Sequence, residues 1–254
     1  MRFNNFGNNY AFRHANATYE GFSVAEPCTR QGIGMKTILL VFVTFISALG
    51  MIVNLHRFND LGLGLYAIVT IINVVLQLII CFVPKTTKVL SIPYAISEGL
   101  LIGVLVGLIN YVMPGVGTKI GLLSLVMTIA IFLAAAILYT TGLIKVTSKF
   151  RTFMFVSLLG ILIGSFAISI LSLFMPGLIS LIFSDSLNII ISIIFVIFSG
   201  IYVTISLDNA NKMVDMGISK EYEWYASYGI LINLIWLYLE VLRLLLYVAS
   251  KNRD

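Results

Sequence analysis

The sequence predicts an all-α integral membrane protein with seven transmembrane helices. Of its 254 residues, 59% are hydrophobic and only 11% are charged, and the mean hydropathy is +1.03. A soluble domain carries about 25% charged residues, so this chain offers too little polar surface for water. Seven separate apolar runs each supply the roughly 20 residues that a helix needs to cross a bilayer.

Helix-breaking or charged segments separate the predicted spans. Pro84 ends the second span, Pro114 ends the third, and Pro176 ends the fifth. The basic stretch 145–151 separates the fourth span from the fifth, and residues 215–217 form the turn before the last span. The seven predicted spans are residues 37–55, 63–83, 92–113, 121–144, 153–174, 187–208 and 222–247.

The spans divide the chain into a tail, a membrane domain and a short C-terminal end. Residues 1–35 are polar and are predicted to form a disordered or loosely packed tail. Residues 36–250 form the seven-helix domain, in which 177–186 is an interfacial loop, and 251–254 form a C-terminal tail. Cys28 and Cys81 lie in segments of different character, so no disulfide is expected.

Lysine and arginine positions predict the orientation. With the N-terminus in the cytoplasm, eleven basic residues lie on the cytoplasmic side and four on the other, a clear excess by the positive-inside rule. The four are Arg57, Lys119, Lys251 and Arg253. The net charge of +5 is explained by this orientation, and nucleic acid is not expected as a partner.

The sequence offers little for catalysis or for coupled transport. His14 and His56 lie outside the spans, and no metal-binding, phosphate-binding or activated-nucleophile motif is present, so we expect neither an enzyme nor a bound cofactor. No internal repeat supports an inverted-repeat transporter. Small residues recur within spans, at Gly99 and Gly103 and again at Gly160, and indicate either close helix packing or a pore lining.

Three acidic residues fall within the spans, where an ionised group must find a partner or take up a proton. Asp208 has no obvious cationic partner in the sequence and is predicted to bind a cation when ionised; alternatively it reaches water at a helix end. Glu98 either coordinates a cation or caps a helix. Both are candidate calcium ligands, because calcium prefers several oxygen atoms.

The third acid, Glu240, belongs to a polar stripe on the last span. Asn233, Trp236, Glu240 and Arg243 follow spacings of three, four and three, which places them on one helix face. The stripe predicts an ion pathway in the bundle interior. The alternative is a structural pair in which Arg243 neutralises Glu240 and fixes neighbouring helices.

Three stretches resemble the Bax inhibitor-1 family, in its longer bacterial branch. They are residues 93–99, residues 207–217, and a segment that begins Glu223-Trp224-Tyr225-Ala226 and continues through WLYLEVLRLL. The resemblance covers 36–250. It implies seven helices with the last one central, and a pH-sensitive passive calcium leak controlled by two titrating aspartates.

The chain departs from that family pattern at one of the two aspartates. The first position matches Asp208, but the second falls on Asn233, whose amide cannot titrate. Glu240 lies about 10 Å further along the helix. We therefore expect a calcium leak in a bacterial cell membrane that is gated by protonation of Asp208. The alternative is a non-conducting regulatory membrane protein that binds membrane proteases or stress-response partners.

The orientation can be tested with reporter fusions at the C-terminus. Because seven spans with a cytoplasmic N-terminus put the C-terminus outside, an alkaline phosphatase fusion should be active and a green fluorescent protein fusion dark. The same two reporters placed after residue 145 should give the opposite pattern. An active phosphatase at residue 145 would contradict the predicted orientation.

Overall fold

The computed structural model describes residues 26–54, 62–175 and 185–251. Their long helices confirm the all-α membrane fold, and six of them are long and apolar enough to cross a bilayer. In α2 the apolar part is shorter, Tyr66–Phe82. The predictions for the tail up to residue 25, for both histidines and for loop residues 177–184 lie outside the described residues. The helices are α1 Arg30–Asn54, α2 Gly62–Phe82, α3 Thr87–Val112, α4 Gly117–Thr140, α5 Ser148–Phe174, α6 Asp185–Asp215 and α7 Glu223–Lys251.

The helix ends follow the predicted breaks. α2 ends before Pro84, and α3 ends before Pro114. α6 ends in a turn where Gly217 has a φ of +64°, a conformation that favours glycine. The N–H groups of Gly217 and Ile218 return to the carbonyls of Val214 and Met213, which satisfies the end of the helix.

α1 is longer than its sequence predicted. It begins at Arg30, so residues 30–35, assigned above to the polar tail, are helical. Thr29 precedes the helix and its hydroxyl accepts a hydrogen bond from the Gly32 N–H at 2.9 Å. This N-cap explains the early start, because it satisfies a backbone donor that the first turn leaves free.

The described residues belong to two compact units. The first takes the residues up to 108 together with 209–231, and the second takes 109–208 together with the residues from 232. Three helices, α3, α6 and α7, therefore contribute to both units. The core of the first unit includes Leu40, Ile80, Tyr94, Val106 and Leu231, each at most 2% exposed.

Two glycines bring α3 close to α1 in the first unit. A Cβ on Gly99 would collide with the carbonyl oxygen of Thr44, and a Cβ on Gly103 would lie 2.6 Å from that of Met51. These small residues serve packing. Gly160 and Gly164 on α5 differ, because a Cβ there would meet nothing within 4 Å.

The second unit is built around α4, α6 and α7. Its core consists of Ala135, Val203, Leu237 and Val241, with partly buried residues such as Phe132 and Val196 packed against them. The two spans with the largest buried share are those of α3 and α7, at 44%, against 6% for α5. The last helix thus supplies core residues to both units, as expected of a helix with a central place in the fold.

The glycine contacts predict a position-dependent response to a single methyl group. Gly99→Ala should destabilise the protein by about 1–3 kcal/mol, because the new Cβ meets backbone atoms of α1 that cannot rotate away. Gly160→Ala, the matched control, should leave stability unchanged or raise it slightly. Thermal unfolding midpoints in one detergent measure both, and equal midpoints would contradict the packing role.

Candidate functional site

The carboxylate of Asp208 lies in the second unit on α6 and is 8% exposed. It forms an ion pair with the guanidinium of Arg151, and the hydroxyl of Tyr139 donates a hydrogen bond to it over 3.1 Å. The prediction that Asp208 lacks a cationic partner is therefore wrong. Its partner is 57 residues earlier in the chain, a separation that sequence spacing cannot join.

The start of α5 places Arg151 for this pair. The hydroxyl of Thr147 accepts a hydrogen bond from the Phe150 N–H over 3.2 Å, which caps α5 just before its first residue. Arg151 then lies in the first turn, with a side chain 22% exposed. A capped helix end holds the base of this side chain firmly, while the guanidinium keeps some access to solvent.

Asn233 on α7 also bonds to α6. Its amide donates to the hydroxyl of Ser206, two residues before Asp208, and that hydroxyl donates to the carbonyl of Tyr202. The residue at the second of the two aspartate positions of the family pattern is thus bonded to the helix that carries the first. A neutral amide makes this link in place of an ionisable group.

The rest of the polar stripe is held within α7. Glu240 is 5% exposed, and it accepts hydrogen bonds from Trp236 and Arg243, both over 3.1 Å. The Arg243 side chain is 53% exposed, so the pair reaches from the buried face to the surface of its own helix. Trp236 packs against Phe198 and Tyr202 of α6, with ring centroids 6.2 and 5.4 Å away.

The Glu240–Arg243 pair confirms the predicted local neutralisation. Because both partners belong to one helix, their bond does not join neighbouring helices, and Trp236 makes the contact with α6 instead. Asp208 and Glu240 are bound by different partners. Among the described residues, no group of three or more His, Cys, Asp or Glu side chains could hold a metal ion.

Glu98 lies in the first unit on α3. It accepts a hydrogen bond from the hydroxyl of Tyr94 over 2.6 Å, and the amide of Asn73 bonds both to Glu98 and, over 3.0 Å, to Ser97. These partners lie within α2 and α3, and none of them is at a helix end. The two candidate calcium ligands, Asp208 and Glu98, belong to different units.

A further buried carboxylate, Glu223, was used above only for the family resemblance. It is 1% exposed and accepts hydrogen bonds from the N–H and hydroxyl of Thr29, over 2.8 and 3.0 Å, as well as from Lys36. A Cβ on Gly32 would collide with the carboxylate. We call Thr29, Gly32, Lys36 and Glu223 the N-terminal clasp, because they join the start of α1 to the start of α7.

Further bonds surround the clasp. The Cys28 N–H donates to the carbonyl of Ile218 over 2.7 Å, and Lys220 and Arg30 pair with Glu26 and Asp215. The hydrogen bond from Lys220 lowers the pKa of Glu26. Burial raises the pKa of the Cys28 thiol, and the nearby negative charge of Glu223 raises it further, so the thiol stays protonated and unreactive.

The comparison with family models decides the relationship. A model described as Bax inhibitor 1 like matches residues 4–250. The chain belongs to this family. The match begins in the polar segment, so the family likeness extends beyond the 36–250 expected from the sequence. A search of curated proteins returned no significant match.

Membership of the Bax inhibitor 1 like family agrees with the fold. The chain is a multi-pass membrane protein whose helices lie in a lipid bilayer. Each of the predicted site residues is placed: Asp208 pairs with Arg151, Asn233 bonds to Ser206, Glu240 bonds to Arg243, and Glu98 bonds to Tyr94. The partners Arg151 and Ser206, and the whole clasp, were not predicted.

The clasp predicts how Cys28 reacts in a Cys81→Ser background. Glu223→Ala leaves Lys36 without its partner, and losing one partner of a buried pair costs about 3–5 kcal/mol. The maleimide labelling rate of Cys28, which is 2% exposed, should rise at least about tenfold. Glu221→Ala, which removes an exposed neighbouring acid, should leave the rate unchanged; equal rates in both variants would contradict the clasp.

Proposed function

We propose that this protein is a passive cation leak of a bacterial cell membrane, with calcium as the expected ion and Asp208 as the controlling group. The observation that carries the proposal is the ion pair between the buried carboxylate of Asp208 and the guanidinium of Arg151. The carboxylate is nearly buried on a membrane helix, and its counter-ion is a side chain at a helix start rather than a fixed partner on α6.

The pair supports control by competition. In a medium of low dielectric constant an ionised carboxylate attracts any cation strongly. Here the guanidinium of Arg151 is the cation bound to Asp208. A permeating cation has to displace Arg151, while Tyr139 continues to donate its hydrogen bond. Protonation of Asp208 removes the attraction for both cations, so the pathway is silent in that state.

Asn233 restricts the titration to one group at this position. A pair of nearby carboxylates would share a proton and titrate in two separated steps. Because Asn233 donates to Ser206 in either state of Asp208, it keeps α7 bonded to α6 without contributing a charge. Within the second unit, the proposed control therefore rests on one titrating carboxylate, that of Asp208.

A second candidate is a non-conducting regulatory membrane protein that binds membrane proteases or other stress-response partners. The supporting observation is that Asp208, Glu223 and Glu240 each have a basic partner. Such pairs are consistent with a structural role in a non-conducting protein, because an unpaired charge in the bilayer is costly. This candidate predicts a stable co-purifying partner and no ion flux.

Calcium flux into proteoliposomes across a pH series tests the leak. Asp208→Asn should lower flux at neutral pH at least about tenfold, which corresponds to the loss of ~1.4 kcal/mol of attraction. Arg151→Gln should raise flux, because the competing cation is gone. Asp215→Asn is the matched control on α6, since its side chain is 64% exposed and it should leave flux unchanged.

Two outcomes would overturn the proposal. An unchanged flux and pH profile in Asp208→Asn would remove Asp208 from the mechanism. No flux from any variant, together with a partner that remains bound through purification, would establish the regulatory candidate instead.

A further inference from the structure

Glu98 differs from the other buried acids of the described residues in its surroundings. Glu223 pairs with Lys36, Asp208 with Arg151, and Glu240 with Arg243. Around Glu98, the described part of the chain supplies hydrogen-bond donors but no lysine or arginine partner. Neutral donors stabilise a carboxylate without cancelling its charge, and in a membrane such a group takes up a cation or a proton.

The position of Glu98 along α3 makes this charge costly. α3 runs from Thr87 to Val112, so Glu98 lies near the middle of a 26-residue helix that is longer than the roughly 30 Å core of a bilayer. Among the described residues, Glu98 belongs to no group of three or more His, Cys, Asp or Glu side chains that could hold a metal ion. A single proton, by contrast, neutralises a single carboxylate completely.

Two buried hydroxyl groups of the same unit lack hydrogen-bond partners in the described residues. They belong to Tyr228 on α7, 5% exposed, and Ser91 on α3, fully buried. The ring of Tyr228 meets that of Tyr94 edge to face, with centroids 4.9 Å apart, and Tyr94 is the donor to Glu98. A buried hydroxyl without a partner is costly, so it points to a missing hydrogen-bonding group.

We propose that Glu98 is an exchangeable proton-binding site in the first unit, with the Tyr228 hydroxyl as its partner. The protonated acid donates to the Tyr228 oxygen, directly or through one water molecule. After the proton leaves, the hydroxyl turns and donates to the carboxylate, because a phenol can act in both ways. One proton is bound or released, and no other bond is made or broken.

In the part of the chain that the structure describes, the groups around Glu98 include no cation that would compete with this proton. α3 contributes Tyr94, α2 contributes Asn73, and α7 contributes Tyr228. Cys81 and Tyr225 interact with Tyr228, and α1 brings the neutral Thr44 and Ser47 against the neighbouring Gly99. Protonation of Asp208 breaks an ion pair with Arg151, whereas protonation of Glu98 breaks no ion pair among the described residues.

The effect of this site on ion flux rests on the proposed function. Glu98 would supply the second titrating acid that Asn233 cannot provide. Glu98 belongs to the first unit, whereas Asn233 belongs to the second. Proton binding by Glu98 does not depend on ion flux, so experiments can reject the proton site and the leak separately.

Infrared spectroscopy of the full-length protein in lipid vesicles tests the proton directly. The wild type should show the carbonyl-stretch band of a protonated carboxylic acid, which declines as the pH is raised. Glu98→Gln, which keeps the size of the side chain, should lose that band, and Asp208→Asn should keep it. The absence of such a band in the wild type, or its persistence in Glu98→Gln, would overturn the proposal.

Tyr228→Phe separates a proton site from a purely structural acid. Removing an unpartnered hydroxyl should not destabilise the fold, but it should move the midpoint of the infrared titration; Tyr247→Phe on the same helix should not. An unmoved midpoint in a folded Tyr228→Phe protein would exclude Tyr228 as the partner and overturn the proposed pair.

Flux across the same pH series then connects the site to function. In Glu98→Gln the dependence of flux on pH should flatten, whereas in Asp208→Asn the flux should fall. A titrating band without any flux supports the proton site and rejects the leak. A normal flux profile in Glu98→Gln would overturn the part of the inference that assigns Glu98 to pH control.

Discussion

The high cost of a bare charge in hydrocarbon governs where this protein can place acidic residues. Basic side chains neutralise three of the carboxylates, and the three pairs are arranged differently. Lys36 reaches Glu223 from another helix, Arg151 reaches Asp208 from the start of α5, and Arg243 neutralises Glu240 from one turn away. A pair within one helix neutralises charge without joining that helix to another. A pair between helices neutralises charge and also holds the two helices together.

Close backbone approach is the second constraint, and it affects only part of the chain. Apolar side chains gain little by leaving lipid for one another, so packing depends on small residues that let helices touch. Gly99 and Gly103 do this between α3 and α1, and Gly32 leaves the space that the Glu223 carboxylate fills. The glycines of α5 have open space around them, in keeping with the low burial of that helix.

Local patterns in the sequence account for most of the fold. Apolar runs and prolines predict the helices and their ends, because both depend on residues close together in the chain. The pair of Glu240 and Arg243 is likewise local and was predicted. The partners of Asp208 and Glu223 lie 57 and 187 residues away, and no spacing rule relates residues on different helices. The length of α1 was underestimated because Thr29 caps it from within a polar segment.

The clasp has a consequence for biosynthesis. Lys36 enters the membrane with α1, yet its carboxylate partner on α7 is translated 187 residues later. Throughout translation the nascent chain therefore holds an uncompensated ammonium group and an uncovered thiol at Cys28. Closure of this contact requires α7, and a product truncated before α7 retains the charge of Lys36 without its carboxylate partner.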